Sequence, residues 1–293
     1  MKIAYFGDDF FLNCLDFLVR DGHEIMALFS SDCDNFYNFN RSSLKIAERV
    51  ACPVYFHRPD QQQIDALAAQ GCELLVAAIY NHKIPLPAQE TGLRGINIHP
   101  ASLPDARGPW VPPLTILHGE EKSATTIHKL EEKLDSGDIL HSDDFVVTER
   151  ENLESISCKL QMAALRSLQT VMTDFEYYWN NATPQKGGTY YPYPDEADRT
   201  LQFTDPVEKI DRIVRAFGKL ESFAFFDGKK WLVQDACVWQ DKHDFKPGQV
   251  AHRSSAEVVI AALDGFVCLR YFEMHPYWRQ HRFDDYQDIP PVD

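Results

Sequence analysis

The chain opens with Met1-Lys2-Ile3-Ala4-Tyr5-Phe6-Gly7, in which the short, mainly apolar run from Lys2 to Gly7 predicts a buried β-strand. A helical pattern of apolar residues follows at Phe11, Leu12, Leu15 and Leu18. The run from Glu24 to Phe29 then predicts a second strand. A strand, a helix and another strand in this order form the unit from which mainly parallel sheets are built. The start of the chain therefore predicts an α/β protein.

The same alternation continues outward from this unit. Helical patterns cover residues 44–50 and 64–70, and short apolar runs predict strands at 54–56, 74–79 and 95–98. This order predicts a mainly parallel sheet with helices on both faces. Because such sheets bind ligands in the loops beyond the carboxyl ends of their strands, a functional site is expected there.

The pattern changes after Asn152. Apolar residues from Leu153 to Phe175 follow one face of a long helix, which we predict to end near Asn180. The next stretch is rich in proline and contains Gly187-Gly188, which is typical of a linker. We therefore predict a first domain over residues 1–182, a linker over 183–200 and a second domain over 201–293.

The second domain has a different character from the first. Thr204 or Asp205 is expected to cap a helix that begins at Pro206, and Gly218 is expected to end it. Asp-Gly pairs at 227–228 and 264–265, each between β-prone residues, predict two hairpins. A small domain made of one helix and a β-barrel is the expected result.

Composition limits the possible functions. The formal net charge of the chain is −15, which disfavours a protein that grips a nucleic-acid backbone through a basic surface. The seven cysteines are scattered and contain no CxxC pair, which argues against a disulfide framework or a zinc site. The first residues lack the pattern of a signal peptide, and no apolar run is long enough to span a membrane. We therefore expect a cytoplasmic protein that is not bound to a membrane.

The segment richest in candidate site residues is Gly95-Ile96-Asn97-Ile98-His99-Pro100-Ala101-Ser102-Leu103-Pro104. Strand alternation points the side chains of Asn97 and His99 to the same side. Asp135 follows the predicted strand 125–130 and offers a carboxylate. Together, the three residues suit acyl transfer to an amine. An amide N–H of Asn97 and a protonated His99 would stabilise an oxyanion, and Asp135 would accept a proton. The spacing alone also fits turn residues or a buried structural histidine.

Two separated segments of the sequence strengthen the interpretation that these three residues are catalytic. Asn97-Ile98-His99-Pro100-Ala101-Ser102-Leu103-Pro104 with Arg107-Gly108, and Leu134-Asp135-Ser136-Gly137-Asp138-Ile139-Leu140, resemble the signature of the folate-dependent formyltransferases. That family includes enzymes acting on glycinamide ribonucleotide, methionyl-tRNA and nucleotide sugars. The resemblance implies a Rossmann-like catalytic domain followed by an OB-like β-barrel domain. It also implies N10-formyltetrahydrofolate as the formyl donor and Asn97, His99 and Asp135 as the catalytic residues.

The resemblance also implies where the folate binds. In this family the pterin lies between the segment before the Asn-x-His strand and the loop that carries the aspartate. The candidate cofactor-binding residues are Ala78, Tyr80, Asn81, Ile84, Ser102, Gly137 and Asp138. Main-chain groups make much of this contact in the family, so residue identity is less informative here. His118, His128 and His141 show no metal-ligand spacing, and we expect no metal.

The acceptor is less well determined. The tRNA-directed members carry a basic loop after the second strand, whereas residues 30–41 hold one basic and two acidic side chains, which makes tRNA an unlikely partner. Phe36 and Tyr37 in this loop resemble the nucleotide-sugar enzymes and either stack on a base or sugar or pack the loop onto the domain. Arg107 and Trp110 are further candidates for acceptor binding, although Trp110 also fits simple packing against Pro112 and Pro113.

We therefore expect a formyltransferase that acts on the primary amine of an amino sugar, with a nucleotide-linked sugar favoured. Hydroxyornithine-type amines used in siderophore assembly and methionyl-tRNA are the alternative acceptors. Transfer to water would make the protein a formyltetrahydrofolate hydrolase, and a folate-binding module without turnover is the alternative from another class. The aromatic tail His275 to His281 fits an acceptor contact, a homodimer contact or an ordinary docked terminus.

Overall fold

The computed structural model describes residues 1–35 and 38–273. Phe36 and Tyr37, expected to contact the acceptor, lie outside the described residues, and so does the tail from His275 to His281. The chain forms two compact units, Met1–Tyr193 and Pro194–Asp293. The boundary falls inside the segment 183–200 predicted as a linker, because residues up to Tyr193 pack with the first unit.

The first unit contains seven strands and six α-helices within its described residues, and two short 3₁₀ helices at Asp9–Phe11 and Gln89–Thr91. The strands are β1 Lys2–Gly7, β2 Glu24–Phe29, β3 Val54–Tyr55, β4 Leu74–Ala78, β5 Arg94–His99, β6 Lys122–Lys129 and β7 Ile139–Val146. The helices are α1 Leu12–Arg20, α2 Arg41–Arg49, α3 Gln61–Ala69, α4 Val111–Leu117, α5 Leu153–Thr173 and α6 Phe175–Asn180. The predicted long helix is thus divided at Asp174, whose carboxylate caps α6.

The seven strands form one sheet in the order β3-β2-β1-β4-β5-β6-β7. The first five of these are parallel, and β6 and β7 are antiparallel additions at one edge. The prediction of a mainly parallel sheet is therefore confirmed. Since β5 lies between β4 and β6, its carboxyl end is flanked by strands that run in opposite directions.

Both faces of this sheet are covered, as the alternating side chains of β1 show. Ile3 and Tyr5 pack in a core with residues of α1, α2 and α5, whereas Ala4 and Phe6 pack in a second core with Ile64 and Leu67 of α3. A strand that is buried on both faces needs apolar side chains at successive positions, which explains the continuous apolar run of β1.

The second unit is a six-stranded sheet in the order β11-β12-β13-β10-β9-β8, with one helix, α7, among its described residues. Its elements are β8 Thr200–Leu201, α7 Val207–Glu221, β9 Ser222–Phe226, β10 Lys229–Gln240, β11 Val250–Arg253, β12 Val258–Ala261 and β13 Gly265–Glu273. The predicted hairpins form at both Asp-Gly pairs, between β9 and β10 and between β12 and β13.

Two expectations for α7 were wrong. Gly218 does not end the helix, which continues to Glu221, and its lack of a side chain instead suits the close approach of β10, where an added Cβ would lie 2.9 Å from the Gln234 carbonyl oxygen. Neither Thr204 nor Asp205 caps the helix. The Val207 N–H donates to the Asp264 carboxylate at 2.9 Å, so the cap comes from the β12–β13 hairpin.

Among the described residues, none of the helices combines the length and the apolar character that crossing a bilayer requires.

Candidate active site

Asn97 and His99 lie at the carboxyl end of β5 and face the same side of the sheet, as strand alternation predicts. Asn97 is paired with Ala77 of β4 on one side and with His128 of β6 on the other. His99 is buried, with 3% of its surface exposed. The two side chains are therefore held by a strand that is itself fixed on both edges.

Asp135 lies in the loop between β6 and β7 and reaches back to this strand end. Its Oδ1 accepts from the Asn97 amide nitrogen at 3.3 Å and lies 3.5 Å from Nδ1 of His99. Its Oδ2 accepts from the backbone N–H of Gly108 at 3.2 Å. Asp135 adopts a φ of +54°, a left-handed conformation that is costly for a residue with a side chain. The three residues singled out from the sequence are thus brought together.

His128 completes the cluster, and the sequence interpretation did not include it. Nδ1 of His128 donates to the Lys129 carbonyl at 2.8 Å, which leaves Nε2 to accept from the Asn97 amide at 3.1 Å. Only 2% of the residue is exposed. Burial lowers the pKa of His128 to about 4 against the opposing influence of the Asp135 carboxylate, so the ring is neutral near pH 7. A neutral ring can act as this acceptor, and it fixes the orientation of the Asn97 amide.

The imidazole of His99 lies between two oxygen atoms. Nε2 faces the Ala106 carbonyl at 3.0 Å, and Nδ1 faces the Asp135 carboxylate. A carbonyl oxygen can only accept, so Nε2 carries a proton. A proton on Nδ1 would in turn point at a carboxylate. Both ring nitrogens of His99 therefore face oxygen atoms that can accept a hydrogen bond.

A segment from the predicted linker packs against this cluster. Residues 183–191, here called the strap, begin with paired backbone hydrogen bonds between Thr183 and Ile139, both of 2.8 Å. The strap then crosses the loop after β5, where Thr189 accepts from the Arg107 N–H at 3.1 Å and Tyr191 donates to the Arg107 carbonyl at 2.7 Å. Between these anchors, Gln185 contacts both Asp135 and Arg107. Residues that look like a linker thus border the candidate site.

Aromatic side chains lie beside the strap. Trp110 stacks on Tyr193 with ring centroids 5.2 Å apart. Tyr190 is 51% exposed, and its pKa is raised by partial burial and by the nearby charge of Asp135. Arg107 and Trp110, the other two residues predicted to contact the acceptor, therefore lie in one region with exposed tyrosine rings and the Asp135 carboxylate.

The predicted cofactor-binding residues have varied surroundings. Ala78 ends β4 beside Ile98 of β5, Asn81 and Ser102 are exposed, and Asp138 pairs with Lys129 at 3.4 Å. Gly137 lies so close to the Lys129 carbonyl that an added Cβ would be 1.9 Å from its oxygen.

Tyr80 and Ile84 pack toward the protein interior. The Tyr80 ring meets Phe6 edge-on, its hydroxyl is buried with no hydrogen-bond partner among the described residues, and burial raises its pKa to about 12. Ile84 belongs to the core against α3, so only its backbone is available for the cleft contact expected of it.

The described part of the chain contains no group of three or more His, Cys, Asp or Glu side chains arranged to hold a metal ion. The polar cluster offers hydrogen-bond donors and acceptors. Asn97 and His99 supply donors, and Asp135 supplies a partly buried carboxylate beside them. Such an arrangement can stabilise an oxyanion and accept a proton.

Comparison with known proteins gives consistent matches. The methionyl-tRNA formyltransferase of Anaplasma marginale is 26% identical over 275 residues, covering 91% of this chain and 89% of that protein. An N-formyltransferase from Helicobacter canadensis, solved with folinic acid and dTDP-3-aminofucose, superposes with a TM-score of 0.68 at 14% identity, covering 93% of this chain and all of the other. The structure of HypX from Aquifex aeolicus in complex with tetrahydrofolic acid also superposes with a TM-score of 0.68, at 20% identity, and covers 94% of this chain.

The chain spans 44% of the length of HypX, and both structural likenesses concern the fold. Family models decide the membership. The model described as formyl transferase matches residues 1–172, and the model for the formyl transferase C-terminal domain matches residues 195–275. The first match alone covers more than half of the chain and contains the whole Asn97, His99, His128 and Asp135 cluster. The chain therefore belongs to the formyl transferase family.

Proposed function

We propose that this formyltransferase moves a formyl group from N10-formyltetrahydrofolate to the primary amine of an amino sugar carried on a nucleotide. The observation that carries the proposal is the partly buried cluster in which Asn97 and His99 both contact Oδ1 of Asp135. The cluster combines two hydrogen-bond donors with a proton acceptor at one strand end. These are the groups that transfer of a formyl carbon to an amine requires.

The proposed reaction proceeds through a tetrahedral intermediate. The acceptor nitrogen attacks the formyl carbon, and the carbonyl oxygen gains negative charge that N–H groups of Asn97 and His99 stabilise. The attacking amine loses a proton to Asp135. The intermediate then collapses, the bond from carbon to N10 breaks, and that proton passes to N10. The products are the N-formylated amine and tetrahydrofolate.

The hydrogen bonds that Asn97 makes in the absence of substrate are compatible with this order of reaction steps. The two N–H groups of Asn97 are directed to His128 at 3.1 Å and to Asp135 at 3.3 Å. We propose that the contact with Asp135 is exchanged for the formyl oxygen when substrate enters. The contact with His128 then remains and keeps the amide nitrogen directed toward the reaction centre.

Folate as the donor is supported by the family and by two structural relatives. HypX was solved with tetrahydrofolic acid, and the Helicobacter canadensis enzyme with folinic acid. In this chain, Ala78 to Ile84 leave the sheet directly beside the Asn97 strand, and Gly137 and Asp138 follow Asp135 in its loop. We propose these two segments as the borders of the folate site, with Ser102 nearby on the loop after β5.

A sugar-linked acceptor is supported by the rings near Asp135. Trp110, Tyr190 and Tyr193 offer aromatic faces against which the apolar face of a sugar ring can pack. The Arg107 guanidinium in the same region suits a phosphate. The Helicobacter canadensis enzyme was solved with such a compound, dTDP-3-aminofucose. Hydroxyornithine-type amines lack a ring for these faces and are the less favoured small acceptors.

Methionyl-tRNA is the second candidate, favoured by the relative from Anaplasma marginale, whose match extends over nearly the whole chain. Electrostatics opposes it. The net charge is −15, and Asp8, Asp9 and Asp32 place acidic groups at the carboxyl ends of β1 and β2. A tRNA enzyme would show binding that weakens steeply as salt is added.

The test is release of tetrahydrofolate from N10-formyltetrahydrofolate, followed by absorbance with a panel of acceptors. The panel contains dTDP- and UDP-linked 3- and 4-amino sugars, N5-hydroxyornithine, methionyl-tRNA and buffer alone. We expect turnover with a nucleotide-linked amino sugar, its loss in His99→Ala and its retention in His57→Ala, an exposed histidine that contacts Gln63. Turnover with methionyl-tRNA or hydroxyornithine instead would refute the sugar assignment. Release in buffer alone would indicate a hydrolase, and folate binding without any release would indicate a binding module.

A further inference from the structure

We infer that Gln185 is a positioning residue for the proposed formyl transfer and that the strap holds it in place. Gln185 holds the backbone of the loop that carries Asp135 and fixes the Arg107 guanidinium at the same time. The inference rests on the proposed function for its kinetic test only. A second test, described below, measures the loop directly and needs no acceptor.

The contacts of Gln185 use its whole amide group. Nε2 donates to the carbonyl of Asp135 at 3.0 Å and to the carbonyl of Gly137 at 2.7 Å. Oε1 accepts from Nε of Arg107 at 3.0 Å and from Nη2 of Arg107 at 2.7 Å. The amide has two N–H donors and one carbonyl, and all are engaged. One side chain therefore connects the Asp135 loop to the loop after β5.

The Asp135 loop needs such a restraint. Asp135 adopts a left-handed backbone conformation with φ of +54°, which persists in a protein only where the surroundings enforce it. Glu131, Glu132, Lys133 and Leu134, just before it, are exposed. The two carbonyls that Gln185 binds lie on either side of Ser136. Without Gln185 the backbone can relax, and the Asp135 carboxylate would leave its place beside Asn97 and His99.

The strap also holds the other loop that contacts the cluster. Its Thr189 Oγ1 accepts from the Ala106 N–H at 2.9 Å, and backbone bonds from Thr189 and Tyr191 fix Arg107. The Ala106 carbonyl in turn accepts from the His99 ring, and the backbone N–H of Gly108 in the same loop donates to the Asp135 carboxylate. The strap therefore holds the loops that carry both partners of His99, Ala106 and Asp135, and the partner of Asp135 Oδ2, Gly108.

Gln185 lies between two anchors, so its own position is fixed. Thr183 is paired with Ile139 on one side. On the other side Gly188 lies against the Pro104 carbonyl, where an added Cβ would be 2.0 Å from the oxygen. A side chain that is held at both ends of its segment can position a loop with the accuracy that catalysis requires.

Two substitutions separate the two halves of the Gln185 contact. Gln185→Ala removes both. Gln185→Glu keeps an oxygen for Arg107 but replaces the donor with a second oxygen, which faces the carbonyls of Asp135 and Gly137. If the positioning of Asp135 is what matters, both variants lose activity. If Gln185 serves Arg107 alone, Gln185→Glu behaves like the wild type. Lys186→Ala, at the exposed neighbouring position, is the matched control.

The kinetic test measures kcat, the KM for N10-formyltetrahydrofolate and the melting temperature of these variants. We expect kcat to fall by about 10-fold or more in both Gln185 variants, because small displacements of a catalytic group are costly. The folate KM should stay within about twofold of the wild-type value, as expected when only positioning of the reacting groups is lost. Lys186→Ala should match the wild type. A wild-type kcat in Gln185→Glu, or a raised KM with unchanged kcat, would overturn the inference.

The second test is amide hydrogen exchange of the full-length variants in the absence of substrate. We expect faster exchange in both Gln185 variants for peptides covering residues 131–139 and 104–110, with unchanged exchange in β1 and β4. If the wild type forms no product with any acceptor, the proposed function fails while this test still decides the positioning role. Unchanged exchange in residues 131–139 would overturn the inference even in an active enzyme.

Discussion

Two polar regions lie at the carboxyl ends of strands in the same sheet, and they use their carboxylates differently. At the end of β5, Asp135 binds the side chains of Asn97 and His99. At the end of β1, Asp8 accepts from the Phe10 N–H, and Asp9 accepts from two N–H groups at the start of α2. In our proposal, the hydrogen bonds of Asp135 join side chains that a substrate can displace. The hydrogen bonds of Asp8 and Asp9 instead satisfy backbone N–H groups that have no partner within their own helices.

The comparison shows that an acid at a strand end is not by itself a sign of catalysis. The carboxylates near β1 have a structural task that is complete in the folded chain. Asp135 instead lies beside two donors to which the proposed reaction gives a further use when a carbonyl compound binds. We therefore expect substitutions in the first region to change turnover and substitutions in the second to change stability.

The largest effect is expected for Asp135→Asn. The amide keeps the size of the side chain but cannot accept a proton, so kcat should fall by about 10²- to 10⁴-fold. The measurement is tetrahydrofolate release at saturating substrate, together with the melting temperature. Glu131→Gln, which changes an exposed carboxylate in the same loop, should retain wild-type turnover. An Asp135→Asn variant that remains active would show that the carboxylate is as structural as those near β1.

The next largest effect is expected for alanine substitution of Gly188, compared with the same substitution at Gly187. Gly188 has φ of +97° and lies against the Pro104 carbonyl, whereas Gly187 has φ of +66° and open space where a Cβ would be. Gly188→Ala should displace the strap, lower kcat by about 10-fold and reduce stability by about 1–3 kcal/mol. Gly187→Ala should lower stability by about 1 kcal/mol through its backbone alone, with unchanged kcat. Equal kcat values in the two variants would separate the strap from catalysis.

These glycines also show what could not be predicted from the sequence. The run from Thr183 to Tyr193 contains prolines and paired glycines, which is typical of a linker, yet in the structure Gly188 permits close contact with the loop after β5. Composition cannot distinguish a mobile glycine from one that is needed for a close approach. Gln185 was missed for the same reason.

His128 was missed for a different reason. Asn97 and His99 could be found because alternation within one strand places them on one side. The pairing of Asn97 with His128 depends on the register between β5 and β6, two antiparallel strands separated by a helix, and no local pattern sets that register. The parallel core was easier to predict, since its strands are continuous apolar runs that match β1 and β2 to the residue.

Asp8 provides a pH-dependent test of the structural region. Burial raises the pKa of its carboxyl from 3.8 to about 6. The folded chain therefore binds this proton more tightly than the unfolded chain does, and the associated stability is lost as the pH rises through about 6. Asp8→Asn keeps the acceptor for the Phe10 N–H but cannot ionise. Relative to the wild type, its free energy of unfolding should rise by about 2 kcal/mol between about pH 4.5 and pH 7.5.

Urea denaturation at several pH values measures this difference. Asp21→Asn, at an exposed position, is the control for a change of charge without burial. A constant difference between Asp8→Asn and the wild type across this range would mean that the buried carboxyl has an ordinary pKa. Turnover at pH 7.5 should be unchanged in both variants, in contrast with Asp135→Asn.

The smallest effect is expected for substitutions of Asp9. These substitutions test most directly whether the end of β1 is structural and the end of β5 catalytic. Its two oxygens accept from Ser42 at 2.9 Å and from Ser43 at 2.7 Å, so it caps α2 from another part of the chain. Asp9→Ala should lower the free energy of unfolding by about 1 kcal/mol, as loss of a helix cap does, and leave kcat unchanged. Asp9→Asn keeps an acceptor oxygen and should lose less. If both variants lose kcat but not stability, the acids at the end of β1 act on substrate, and the division between a catalytic and a structural strand end fails.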